Sequence, residues 1–285
     1  MKQIEGSRSM IEFLFAADLE TELHENEDPG FGVHSASVLK EMVKEARCQG
    51  KYSNMLPPTF ILFNGDTDSR FEEVHARLWE QMEQLPCPCY HVFGNHECTY
   101  FDDGNAWAEF FGYENTYYSW EYSHNGITTT FVVLDIWCES RDSNLKCRHP
   151  GSKGQVFRDE QKKWLKEVLE RAPGLVIVFA HTHMWCPPGS RNQDNGTVDE
   201  LIDILKGTYE TGVVHRKADV FFSGGHHDYP HCDKVDGVYF IDPIAAIHKA
   251  YARVRIDPVN RKMDYWGRFD ERSYLYLNLT GLNLQ

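Results

Sequence analysis

The sequence predicts an α/β fold: two mixed β-sheets packed as a sandwich, with helices flanking their outer faces. Three observations carry this. Apolar runs of buried-strand length alternate with segments whose apolar residues recur at helix spacing. An Asn-Gly pair at 125–126 joins two strand-like runs, a hairpin signal that makes the sheet order mixed. From 237 onward the chain reads as successive short β segments.

In chain order, "IEFLFAAD" (11–18) is the first buried strand. It is followed by a helix in "SASVLKEMVKEARCQG" (35–50), where Val38, Leu39, Met42, Val43 and Ala46 recur at helix spacing. "TFILFNGD" (59–66) is the second strand and "RFEEVHARLWEQMEQL" (70–85) the second helix. Pro86 and Pro88 punctuate the entry to a third strand, "CYHVFGN" (89–95). A short helix around 105–111 precedes the hairpin "TYYSWEYSHNGITTTFVVLDIW" (116–137). A helix at 158–172, the strand "GLVIVFAH" (174–181), a helix at 197–207 and the strand "ADVFFSGGH" (218–226) complete the alternation. No repeat, low-complexity tract or long linker divides the chain, so residues 1–285 are read as one domain.

With 41% hydrophobic residues over 285 positions, the chain can bury a large core. Its 29 Lys and Arg against 43 Asp and Glu give a net charge of −14, which repels polyanions and makes nucleic acid a poor partner. The N-terminus carries only a short apolar run before acidic residues, the pattern of neither a secretion signal nor a membrane span. A cytoplasmic protein without membrane contact is the expectation. Eight cysteines show no CxxC spacing, so unpaired thiols are expected rather than a zinc framework.

Chemistry-bearing residues gather just beyond the predicted strands: Asp18 and Glu20, Asp66, Asn95 and His96, His181, and His226. Loops at the carboxyl ends of strands in open α/β sheets converge on one crevice. A lone histidine there is usually a hydrogen-bonded structural residue. Five such strand ends, each bearing a carboxylate, carboxamide or imidazole, point instead to bound metal.

The stretches "DLE" (18–20), "GDTDS" (65–69), "GNHE" (94–97), "AHTH" (180–183) and "GHHD" (225–228) follow one another in the order of the calcineurin-like metallophosphoesterase motifs, and the chain resembles that family from about 11 to 257. The resemblance implies a four-layer αββα fold and two divalent metal ions. One ion would be held by Asp18, Glu20 and Asp228, the other by Asn95, His181 and His226, with Asp66 bridging both. His183 is an alternative to His181. His96 would touch the phosphate or protonate the leaving oxygen. His227 occupies the variable position of its motif, and His231 lies beyond the turn, so neither is given a role. The implied reaction is in-line attack of metal-bound hydroxide on phosphorus, in a small-molecule phosphoester or a phosphoprotein.

Two residues depart from the family pattern. Glu20 and Asp228 stand where the family has histidines, and both belong to the same metal position. An all-oxygen site suits Mn²⁺ or Mg²⁺, while the histidine and asparagine site suits Mn²⁺, Fe or Zn²⁺. The added negative charge is expected to weaken polarisation of the phosphate and shift activity toward alkaline pH. The basic stretch 139–155 and the aromatic residues Tyr100, Phe101 and Trp185 are candidate recognition elements at the crevice, with a solvated loop and ordinary packing as the plainer readings. The leading function is a metal-dependent phosphoesterase. The alternatives are a catalytically weak or inactive binding scaffold on the same fold and, less favoured by the charge, a nuclease.

Overall fold

A computed structural model describes residues 2–6, 8–19, 31–67, 79–97, 101, 103–138, 156–182, 195–225, 227, 230–268 and 277–284. The described strands build two mixed sheets. The seven-stranded sheet runs, from edge to edge, β1 (Lys2–Glu5), β5 (Tyr118–His124), β6 (Ile127–Leu134), β7 (Leu175–Ala180), β8 (Val220–Phe222), β10 (Val238–Asp242) and β9 (His231–Val235). The six-stranded sheet runs β13 (Asn278–Asn283), β12 (Lys262–Arg268), β11 (Tyr251–Asp257), β2 (Ile11–Ala16), β3 (Phe60–Asn64) and β4 (Cys89–Val92). Helix α1 (Phe31–Ala46) follows β2, α2 (Gly104–Phe111) precedes β5, α3 (Asp159–Arg171) precedes β7, and α4 (Asn195–Lys206) precedes β8.

Period-2 alternation explains the layering. In β2, Ile11, Phe13 and Phe15 enter the core between the sheets, while Leu14 and Ala16 face α1 on the outside. Both faces of such a strand are apolar because both are covered. The inter-sheet core is aromatic: Phe13 stacks on Phe60 at 4.7 Å between centroids, and Phe179 stacks on Phe222 at 5.3 Å. The outer face of the seven-stranded sheet buries α2, α3 and α4 through Trp107, Leu165, Leu201 and their neighbours. The result is the four-layer αββα sandwich expected from the sequence.

The hairpin at Asn125-Gly126 has φ of 50° and 77°, the two positive values its turn demands. Three features were not anticipated. β1 is a four-residue strand beside β5, and β9 and β10 form a second hairpin through Asp236-Gly237, with φ of 49° and 96°. Helix α1 begins at Phe31, earlier than its apolar periodicity indicates, and ends at Ala46. The helix expected over 70–85 is described only at its end, residues 79–82. Among the described cysteines, Cys48, Cys87, Cys89, Cys138 and Cys232 are free thiols. No helix among the described residues is long and apolar enough to cross a membrane.

β2, β3 and β4 are parallel, as are β7 and β8 in the facing sheet, so their carboxyl ends open on the same end of the sandwich. The residues just past these ends form the candidate site.

Candidate metal centre

Asp18 and Asp66 each lie two residues beyond a buried strand, β2 and β3 respectively. Both adopt left-handed backbone, with φ of 55° and 48°. That region is costly for most side chains and tolerated best by Asp and Asn, which turn their short polar groups inward at the strand end. His181 follows β7 directly and is fully buried.

The three side chains converge. Asp18, Asp66 and His181 each offer a ligand atom, all within 4.8 Å of one another, and all three residues are buried. His181 Nε2 stands 3.0 Å from Asp66 Oδ2 and 3.7 Å from Asp18 Oδ1. On its other side, His181 Nδ1 lies 2.7 Å from the Asn64 carbonyl oxygen. A carbonyl only accepts, so Nδ1 carries the proton and Nε2 is the nitrogen left to face the carboxylates.

Neighbouring backbone holds the cluster. Asp18 Oδ2 accepts from the Gly225 N–H at 3.0 Å, and Asp66 Oδ1 accepts from the His96 N–H at 2.8 Å. The Trp137 indole N–H donates to the His181 carbonyl at 2.6 Å. Asn64 Nδ2 donates to the Ala180 and Ser223 carbonyls, at 3.3 and 2.6 Å, tying the end of β3 to the ends of β7 and β8 across the sandwich. Glu97 is the keystone of the other side. Its buried carboxylate accepts from the Asp66, Thr67 and Gly94 N–H groups at 3.0, 2.7 and 2.8 Å. Gly94 is required here: a Cβ on it would collide with the Asp66 backbone nitrogen and carboxylate.

The electrostatics call for a cation. Asp18 Oδ1 and His181 Nε2 are buried without hydrogen-bond partners. Burial alone would lower the His181 pKa, but the charges of Asp66 and Asp18 outweigh it and raise it to about 10. Burial likewise pushes the Asp66 carboxyl upward, and the facing His181 overrides it, holding the group well below the carboxylate range. A second proton on His181 is thus favoured by the facing charges of Asp66 and Asp18, in the place that a divalent ion would fit among these donors. The donor set is suited to a metal on these orphaned atoms.

Asn95 and His96 sit on the loop after β4, Asn95 buried and the His96 side chain 28% exposed, with Nε2 4.0 Å from Asp66 Oδ2. Glu20, His226 and Asp228, the remaining sequence-predicted ligands, lie outside the described residues. So do His183, Tyr100, Trp185 and the basic stretch 139–155. Phe101 is buried in the core facing α2 and α3.

Two residues at the cluster had no role in the sequence reading. His227 Nε2 stands 3.2 Å from Asp18 Oδ1, one position from the residue the motif favours. Asp242, the last residue of β10, is buried, and both of its carboxylate oxygens lack a hydrogen-bond partner. Burial first, and then the charge of Asp18, push its pKa well above the usual range. Its only sequence signal is a carboxylate ending an apolar strand, "VYFID", the same signal that marked Asp18.

The sequence model of the family described as calcineurin-like phosphoesterase matches residues 12–229. Among solved structures, a dimetal phosphatase from Danio rerio aligns with a TM-score of 0.70 at 17% identity, over 95% of this chain and 99% of that one. GAP50, the anchor in the inner membrane complex of Plasmodium, aligns with a TM-score of 0.61 at 12% identity, over 97% of this chain and 89% of that one. The protein TT1561 of Thermus thermophilus aligns with a TM-score of 0.50 at 14% identity, over 90% and 98%. At these identities the likeness is one of fold. No curated protein matches the chain.

Proposed function

The chain belongs to the calcineurin-like phosphoesterase family, and from that premise we propose that it is a metal-dependent hydrolase of phosphomonoesters or phosphodiesters, working at a two-metal centre. The observation that carries the reading is the buried Asp18, Asp66 and His181 triad, in which Asp18 Oδ1 and His181 Nε2 lack hydrogen-bond partners. These three residues would contribute ligands to the two divalent ions, which when bound supply Lewis-acid polarisation of a phosphoryl oxygen and an acidified water. Glu20, Asn95, His226 and Asp228 complete the proposed ligand set, with Mn²⁺ or Mg²⁺ favoured by the carboxylates.

The remaining work falls to the chain's own groups. Glu97, by gathering three backbone N–H groups, fixes the β3 and β4 loops relative to each other. The His96 N–H on Asp66 anchors the base of the His96 residue, leaving its imidazole at the rim of the cluster beside Asp66. From the rim, the ring donates a proton to the departing ester oxygen. The substrate is a small phosphoester or a phosphoprotein in the cytoplasm; the charge of −14 disfavours nucleic acid.

The test is hydrolysis of chromogenic phosphomonoesters and phosphodiesters by chelator-stripped protein refilled with Mn²⁺, Mg²⁺, Zn²⁺ or Fe²⁺. Metal-dependent turnover that vanishes in Asp66→Asn supports the reading. His96→Asn should lower kcat by about 10²–10⁴ on an alkyl phosphate and far less on p-nitrophenyl phosphate, whose leaving group needs no proton. Equal losses on both substrates would remove His96 from the acid role.

A scaffold reading has one observation in its favour: both departures from the family pattern, Glu20 and Asp228, fall on the same metal position. Metal content separates the two. Folded protein that retains no divalent ion and turns over no ester would make Glu20 and Asp228 lost ligands.

A further inference from the structure

Apart from the metal cluster, α1 and the edge of the six-stranded sheet flank an open pocket of about 840 Å³. Five cationic side chains line it: Lys40 and Lys44 from α1, Lys51 from the 3₁₀ turn that follows, Lys249, and Arg268 at the end of β12. Among the described lining residues Glu41 is the carboxylate, so the lining carries a formal charge of +4 from five cations and one anion. That concentration stands out in a chain whose net charge is −14.

Glu41 and Glu45, the carboxylates within reach of Lys44, Lys51 and Arg268, are themselves shared among several donors. Glu41 is shared between Lys44 at 2.6 Å and Lys51 at 3.1 Å, and those lysine side chains remain 55% and 68% exposed. Glu45, buried behind the pocket, lies 3.6 Å from Arg268 Nη2 but is already committed to Arg253 at 3.0 Å and to the Tyr251 hydroxyl at 2.7 Å. Arg268 Nε is buried without a hydrogen-bond partner. The walls are part apolar, with Val38 and Trp266 among them. Converging like charges over low-dielectric walls focus a positive field, and the natural occupant of such a field is a multiply charged anion.

We propose that this pocket is a binding site for a soluble polyphosphate-bearing small molecule, separate from the metal cluster. The shape favours a soluble ligand over a lipid headgroup, because the cations surround a concavity between a helix and a sheet edge. The inference holds whether or not the metal cluster is catalytic. An anion here would rest against α1 and the start of β11, which lies beside β2. The turn before it, at Ala246 and Ile247, donates backbone N–H groups to the Ala17 and Asp18 carbonyls.

The probe is inorganic tripolyphosphate, titrated calorimetrically into the full chain at low ionic strength, with and without EDTA. One tripolyphosphate per chain is expected, weakening with added salt and surviving chelation. Lys40→Glu with Lys51→Glu should weaken it by roughly tenfold or more, given about four units of charge reversal at exposed positions. Lys163→Glu with Arg171→Glu on α3, the same charge change on the other sheet's helix layer, should change it by less than about twofold. Circular dichroism checks that both variants keep the fold. Loss of binding on chelation, equal weakening by both double variants, or no binding at millimolar tripolyphosphate would each overturn the proposal. So would binding confined to vesicles of phosphatidylinositol 4,5-bisphosphate in phosphatidylcholine, with none to tripolyphosphate.

Discussion

His181 faces Asp66 and Asp18 through Nε2 while Nδ1 is committed to the Asn64 carbonyl. The ring therefore has two ways to satisfy the carboxylates: keep a second proton or take a metal. Without metal, its pKa of about 10 lies above the ordinary value of 6.5. A raised folded pKa stabilises fully below the unfolded value and loses that contribution as pH rises through the folded one. Metal-stripped protein should therefore lose thermal stability between about pH 6.5 and 10, and metal-loaded protein should not share that loss. Loading at about pH 7.5 should release a proton that His181→Gln no longer releases, read by calorimetry in buffers of differing ionisation enthalpy. Identical pH–stability curves with and without metal would sink this account. Asp66, held low, works in the other direction: its contribution is present above about pH 3.8 and is lost as pH falls below it.

Asp18, Asp66 and His181 were legible in the sequence because a polar group directly after a buried apolar run stands out against it. Glu97 belonged to a quoted motif yet had no visible task, since its partners are backbone N–H groups up to 31 residues away and backbone donors leave no trace in side-chain identity. His227 stands at the variable position of its motif, so nothing in residue type marks it, and only the turn geometry brings its Nε2 to 3.2 Å from Asp18 Oδ1.

At the scale of elements, apolar periodicity was a good guide where burial is two-sided and a poor one at edges. β3, β7 and β8 are almost wholly apolar, and β2 and β6 carry the apolar runs FLFA and FVVL, because both faces are covered there. β9, "HCDKV", is an edge strand without a buried residue, so its side chains do not record its pairing; the Asp-Gly after it was the better signal. β1, with two charged residues in four, is another edge. The loops after β3 and β4 are elements of a different kind, joined by one side chain. Glu97→Gln keeps the volume but replaces one acceptor oxygen with an NH₂ among N–H donors. The expected cost is about 2–3 kcal/mol in urea unfolding and a drop of about 10–100-fold in metal affinity. Unchanged metal affinity in a folded variant would make Glu97 a purely structural clamp.

For the whole molecule, the sandwich depends on closing α1 over the six-stranded sheet, and that contact is ionic as well as apolar. Arg253 of β11 is buried and donates through Nε to Glu12 of β2 at 2.8 Å and through Nη1 to Glu45 of α1 at 3.0 Å. Arg255 adds a bond to Glu12 at 2.7 Å, and Tyr251 adds one to Glu45 at 2.7 Å. Nothing in "IEFLFAAD" announced that Glu12 would be buried, because a lone acid in an apolar strand reads equally well as an edge or a solvent-facing position. Truncation and replacement of Arg253 should behave differently. Arg253→Ala leaves two buried carboxylates without their shared cation and is expected to cost about 3–5 kcal/mol. Arg253→Met with Glu12→Leu and Glu45→Leu removes the charges together and should recover most of that loss, since packed apolar groups can substitute for a buried ionic cluster. Urea unfolding reads both changes. Metal stoichiometry of the folded variants reads whether the network acts on the site, and it should stay at the wild-type value, because Arg253 and its carboxylates lie under α1 rather than among the atoms around Asp18. A variant that is fully stable yet loses metal would instead tie the network to the site through β2, whose end carries Asp18.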